Sequence, residues 1–292
     1  MSRIYEALQK ARTEQGEGEA SGFPVMDDFS SLPPASPPID VSPRRSSLLT
    51  ECLQPLWSPD KEKMPFYAEG SDSVGKEQFR TLRSRLYQIR EQQKLSAIVI
   101  SSALAGEGKS FTAANLTHAF ALQRERRVLV LDCDLRRGSL ATFFGAPSTP
   151  GLSEFLRGEC TLQEVLQAGS PENLYFIPCG MRMQQPGELI ASSRMVKLME
   201  QLRARFDWII LDTAPAVLFS DASVLADLCD GVLMVLSAGS TPIHLAKRAS
   251  MEFKKRSLIG TVLNKSTDPM HDSSYYAYVG EEAGSNVELR KP

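Results

Sequence analysis

No apolar run in the 292-residue chain approaches the roughly 18 to 20 residues needed to cross a bilayer. Its start, MSRIYEALQKAR, lacks the apolar core of a signal peptide. Neither a membrane span nor secretion by that route is expected, so any membrane attachment comes through a partner. An excess of one charge is also lacking: 33 Lys and Arg against 35 Asp and Glu leave a formal net charge of −2, which offers no basic field for nucleic acid. Cysteine is scarce and unpatterned. Cys52, Cys133, Cys160, Cys179 and Cys229 are odd in number and widely spaced, with no CxxC pair. That argues against a disulfide framework or a zinc site, and for core thiols in a reducing compartment. The remaining composition, 42% hydrophobic, is that of an ordinary soluble protein with one sizeable core or two small ones.

Proline is unevenly placed. Nine of the 18 lie between Pro24 and Pro65, and residues 21–66 read as an extended, mobile linker. Ahead of it, in residues 1–20, Ile4, Leu8 and Ala11 mark one face of a short helix that Ser2 could cap. This is either a docking helix for a partner or an end with incidental periodicity. Residues 67–266 carry the folded domain. In its first helix, over 76–93, Phe79, Leu82, Leu86 and Ile89 share an inward face, while Glu77, Arg80 and Arg83 project from another. Strands are predicted near 98–100, 128–131, 174–177, 208–211, 231–236 and 258–263, separated by helices near 188–205, 222–228 and 242–255. That alternation implies an α/β fold, a mostly parallel sheet with helices on both faces.

Within that frame, SSALAGEGKSFTAANL at 101–116 reads as strand, Gly-rich loop and helix, the context of a phosphate-binding P-loop. Gly106 and Gly108 let the backbone curl and aim the N–H groups from Gly106 through Lys109 at phosphate oxygens. The helix N-terminus behind them adds roughly half a positive charge. Ala105, Gly106, Glu107, Gly108, Lys109, Ser110 and Phe111 are the expected nucleotide-binding run. Lys109 would reach the terminal phosphates and Ser110 would ligate magnesium. Ala103 stands where the loop pattern has its first glycine, and fits only with a negative φ. A second apolar run, in RRVLVLDCDLRR, ends in Asp132 and Asp134. Residues two apart on a strand share a face, and the carboxyl end of a parallel sheet is where ligands bind in such folds. Asp132 is the candidate base for an acceptor hydroxyl and Asp134 a magnesium ligand through water, with Arg136 placed to steady either acid or a phosphate. A third run, in WIILDTAP, ends in Asp212, the position of an acid that meets magnesium.

These motifs together resemble the bacterial tyrosine kinase family, P-loop autokinases of capsule and exopolysaccharide assembly. GEGKS, DCDLRRGSL with FFG and PGLSEFLRGE, and ILDTAP are similar to its Walker A, A′ and B motifs. Ala103, Ala105, Gly138 and Ala214 depart from the family pattern, the last three where proline is frequent. The resemblance implies a P-loop NTPase fold, ATP and magnesium as cofactors, and catalysis by Lys109, Asp132, Asp134 and Asp212. It further implies that Asn264 reads the adenine ring and that Glu77, Arg80 and Arg83 form an E-x-x-R-x-x-R signature for association into a ring. A transmembrane activator of polysaccharide polymerisation would be the partner, recruiting the chain from the cytoplasm to the inner face of the membrane.

The polar, acidic tail, 267–292, concentrates three of the seven tyrosines at Tyr275, Tyr276 and Tyr278, and they are the expected phosphoacceptors. Fully extended, the chain from Asn264 to Tyr278 would span up to about 45 to 50 Å, enough to enter a neighbouring subunit's site. A non-enzymatic reading is an assembly subunit that binds ATP structurally, and another is an ATPase switch of the septum-site and partitioning type, which shares the fold. Those proteins carry a signature lysine early in the loop, where this chain has Leu104.

Overall fold

The computed structural model describes residue 49 and residues 51–68, 74–253 and 258–266. The expected N-terminal helix, the linker up to residue 48 and the tyrosine-bearing tail lie outside the described residues.

Among these, β1 (Ala97–Ser102), β2 (Val128–Asp132), β3 (Gln167–Ala168), β4 (Leu174–Ile177), β5 (Trp208–Asp212), β6 (Gly231–Ser237) and β7 (Leu258–Asn264) form one sheet. The strand order is β3, β4, β2, β5, β1, β6, β7. Every neighbouring pair is parallel except β3 with β4. The helices are α1 (Val74–Gln92), α2 (Lys109–Ala121), α3 (Leu140–Phe144), α4 (Leu152–Arg157), α5 (Leu162–Val165), α6 (Gly187–Ile190), α7 (Ser193–Arg203), α8 (Asp221–Ala226) and α9 (Ile243–Glu252).

Strand alternation splits the apolar side chains into two cores. Ile98 and Ile100 of β1 pack with Leu86, Leu116, Phe120 and Trp208 beneath α1 and α2. Ala97 and Val99 face the other way, toward Leu198, Leu202 and Leu225 of α7 and α8. All six residues of β1 are therefore buried, which is why the central strands read as continuous apolar runs. The parallel, helix-covered sheet expected from the sequence is present, with the six predicted strands in place.

Two expectations need correction. The single helix expected over 188–205 is two, because the Ser192 hydroxyl accepts from the Met195 N–H at 3.4 Å and starts α7 afresh. The expected linker also ends earlier than residue 66, since residues 51–68 form a strap on the domain. Leu53 N–H donates to Leu166 O at 3.0 Å and Leu53 O accepts from Ala168 N–H at 2.8 Å. Trp57 lies against Phe144 and Phe176 with ring centroids 5.1 and 6.0 Å away, and Met64 is fully buried. Pro55, Pro59 and Pro65 are compatible with this because proline requires no partner for an N–H and its fixed φ suits both extended chain and the first position of the 3-10 turn Pro65–Tyr67. The composition that suggests a linker suits a stiff strap equally well.

Candidate active site

The loop joining β1 to α2 is short and tightly curled. Gly106 and Gly108 have φ of 81° and 97°, in the left-handed region that favours glycine. A Cβ on Gly108 would also overlap the Asn264 amide. Ala103 is buried and outside the left-handed region, as its place in the loop requires. Among the described residues the N–H groups of Gly106, Glu107 and Gly108 have no acceptor within the chain, leaving them available to an anion at the α2 N-terminus.

The acids arrive from the adjacent strands. β2 and β5 pair in register, with Asp132 opposite Asp212 at their carboxyl ends. Asp134 comes by another route than strand alternation: β2 stops at Asp132, and Asp134 opens a turn whose carbonyl accepts from Arg137 N–H at 3.0 Å and Gly138 N–H at 2.6 Å. Lys109 Nζ lies 3.0 Å from Asp134 Oδ2, 3.9 Å from Asp212 Oδ1 and 3.4 Å from Ser110 Oγ. The three acids and the loop lysine thus share one place. Asp132 Oδ2 accepts from the Leu140 N–H at 2.9 Å. Its Oδ1 and both carboxylate oxygens of Asp212 are buried without a hydrogen-bond donor among the described residues.

This geometry perturbs the charges. Burial pushes Asp132 up to about 8, with Asp212 adding to the rise and the Leu140 N–H opposing it. Burial likewise raises Asp212, against the pull of Lys109. For Lys109 burial works against the charge, yet Asp212, Asp134 and Asp132 together outweigh it and lift the ammonium above its ordinary value. Three carboxyl groups around one lysine, with orphaned oxygens, suit a hard divalent cation. No group of three His, Cys, Asp or Glu side chains closes into a ready-made cage among the described residues. Magnesium is ordinarily held by one or two carboxylates plus substrate phosphates, so the arrangement fits it.

Other candidate residues fall elsewhere. Arg136 touches neither site acid: its guanidinium donates to Asp221 at 2.9 and 3.3 Å and to Gln184 O at 2.7 Å, and stacks over Phe219 at 4.0 Å. It braces three loops of the sheet's carboxyl edge. Arg83 donates to Ala119 O at 2.7 Å, near the end of α2, while Glu77 and Arg80 pair at 3.2 Å. The Phe111 ring packs on Phe79 at 5.7 Å, so its contribution to the cradle is through its backbone. Asn264 Nδ2 donates to Glu107 O at 2.9 Å. Tyr275, Tyr276 and Tyr278 lie outside the described residues. The sequence reading missed the Leu140 N–H, because a backbone donor leaves no mark in residue identity. It also missed the reason for Gly138, where a Cβ would overlap Cys179 Sγ and lie 3.4 Å from Asp132 Oδ2.

Residues 95–241, just over half of the chain, match the AAA domain family. The tyrosine-protein kinase YwqD of Bacillus subtilis (strain 168) is 33% identical over 210 residues, covering 71% of this chain and 87% of that protein. This chain belongs to the bacterial tyrosine kinase family. The kinase is also similar to solved structures: the chimerical protein CapA2B2, with a TM-score of 0.67 at 26% identity over 74% of this chain and 96% of that one, and the kinase domain of Escherichia coli tyrosine kinase ETK, with a TM-score of 0.63 at 26% identity over 73% and 88%. As a member of the family it is a protein-tyrosine kinase, and the P-loop and both acid-bearing strands lie inside the matched segment.

Proposed function

We propose that the kinase transfers the terminal phosphate of ATP to Tyr275, Tyr276 and Tyr278 of its own tail, mainly between subunits, and so regulates polysaccharide polymerisation and export. The observation that carries the reading is the convergence of Asp132, Asp134 and Asp212 on Lys109 beside a glycine loop with free N–H groups. Ser110, Asp134 and Asp212 would hold magnesium, which when bound with nucleotide neutralises phosphate charge. The loop amides and Lys109 bind and orient the phosphates, so catalysis rests on positioning and charge neutralisation. A tyrosine hydroxyl ordinarily loses its proton near pH 10. Asp132, whose Oδ1 is free, is placed to take that proton in its ionised form, and because burial raises its pKa to about 8 transfer should quicken as pH rises toward that value. The tyrosine Oη forms its bond to the terminal phosphorus as the bridging P–O bond breaks. The electron pair departs on ADP and the proton passes to Asp132.

Asn264 would turn toward the adenine once nucleotide enters, and Glu77 and Arg80 would meet a neighbouring subunit in a ring. Arg83 would contribute there only by releasing the Ala119 carbonyl. The polysaccharide role, the transmembrane activator and recruitment to the inner membrane face rest on the family resemblance. Incubation with ATP, magnesium and the activator should place phosphate on the tail, read by mass spectrometry, and Lys109→Met should abolish it. Equal labelling after Tyr275, Tyr276 and Tyr278 are all changed to Phe would remove the tail as acceptor. Phosphate released to water with every tyrosine unmodified would make the chain an ATPase switch instead.

A further inference from the structure

Glu107 lies inside the phosphate loop, where a carboxylate would repel a polyphosphate, and it is 3% exposed. Its side chain is turned away from the crest of the loop. Oε2 accepts from the Leu104 N–H at 2.8 Å, closing the loop on itself, and Oε1 accepts from the Thr241 hydroxyl. Thr241 Oγ1 in turn accepts from the Ser237 N–H at 3.0 Å, at the end of β6. The Glu107 carbonyl accepts from Asn264 Nδ2 at 2.9 Å, and Asn264 O accepts from the Ala238 N–H at 2.8 Å. The loop, the end of β6 and the end of β7 are therefore joined at one residue. With the Glu107 carbonyl held toward β7, and the Gly106 carbonyl held there by Lys265 Nζ at 2.7 Å, the neighbouring N–H groups are left to face the cradle.

We infer that Glu107 is a positioning residue, whose buried carboxylate and its Thr241 partner set the shape of the phosphate loop before nucleotide arrives. The inference rests on the nucleotide reading of the site and assigns the side chain a task separate from that of the loop amides. It makes a prediction of sign. A carboxylate acting only through its charge would repel phosphate, so Glu107→Gln would tighten nucleotide binding. A positioning carboxylate predicts the reverse.

The test is titration of full-length protein with ADP and magnesium, followed by phosphotransfer kinetics. Glu107→Gln and Thr241→Val should each weaken ADP binding about tenfold, the scale of one lost charge-assisted hydrogen bond. The double variant should be scarcely weaker than either single one, because both break the same link. The kinetic loss should fall mainly in KM for ATP rather than kcat, and hydrogen exchange at residues 104–110 should quicken in the nucleotide-free variants. Thr241→Val keeps the measurement decisive if Glu107→Gln fails to fold. If the unaltered protein binds no ADP, the cradle reading falls and this inference with it. If the unaltered protein binds and Glu107→Gln binds as tightly or more tightly, the cradle stands and the assignment of Glu107 is overturned.

Discussion

Asp132 divides its two oxygens between structure and chemistry. Leu140 N–H holds Oδ2 at 2.9 Å and so orients Oδ1, the atom available to a proton. Asp132→Asn keeps the shape and removes the proposed base, so the proposed tail phosphorylation should slow by about 10² to 10⁴-fold, measured by single-turnover transfer at saturating ATP. Its ionisation also couples to stability. The unfolded carboxyl titrates near 3.9, while burial holds the folded one up at about 8. Between those values the nucleotide-free fold keeps a proton that the unfolded chain has lost, and stability falls as pH rises from about 4 through 8. Urea denaturation at pH 7, 8 and 9, above the range in which His118 titrates, should show that decline, and Asp132→Asn should lessen it, Asp212 being raised by the same burial. At this scale the acids and the lysine were legible because their chemistry is in the residue itself. Leu140, Thr241 and Cys179 act through a backbone donor, a hydroxyl 134 positions away from Glu107 and plain volume, none of which a local pattern announces.

The strap formed by residues 51–68 is a structural element of the domain. Its Met64 is fully buried, and Met64→Ala should cost about 2 to 5 kcal/mol by urea denaturation. Phe66 and Tyr67 close over His118 of α2 with ring centroids 4.9 and 4.6 Å away, and burial lowers the imidazole to about 4. The unfolded histidine binds its proton near 6.5, so this contribution to stability is intact above that value and is lost as pH falls toward 4. His118→Leu should remove that acid-side slope, read as the melting temperature between pH 7 and 4.5. The long helix α1 was legible from its periodicity, β1 from its continuous apolar run and α2 from its place behind the glycine loop. The two-residue β3 and the four- to six-residue helices α3, α4 and α5 were not, since fewer than two turns or one full alternation carry no period.

For the whole molecule, the proposed phosphorylation between subunits makes a specific demand. A mixture of Lys109→Met with a variant lacking Tyr275, Tyr276 and Tyr278 should regain phosphotyrosine, though neither protein alone makes any; transfer confined within one chain would leave the mixture unlabelled. Under the proposed ring, Glu77→Ala with Arg80→Ala should shift the protein toward smaller species in sedimentation velocity, and high salt, which screens exposed ion pairs, should do the same to the unaltered protein. The chemical inventory and the alternating pattern that places acids at strand ends were written along the chain, because residue type and spacing are local properties. Where Arg136 finds its partner and how Glu107 is held depend on β1, β2, β5, β6 and β7 lying side by side in an order unlike their order in the chain. Contacts between residues 80 to 160 positions apart exist only after the sheet has assembled, since packing, not sequence proximity, brings those groups within hydrogen-bonding reach.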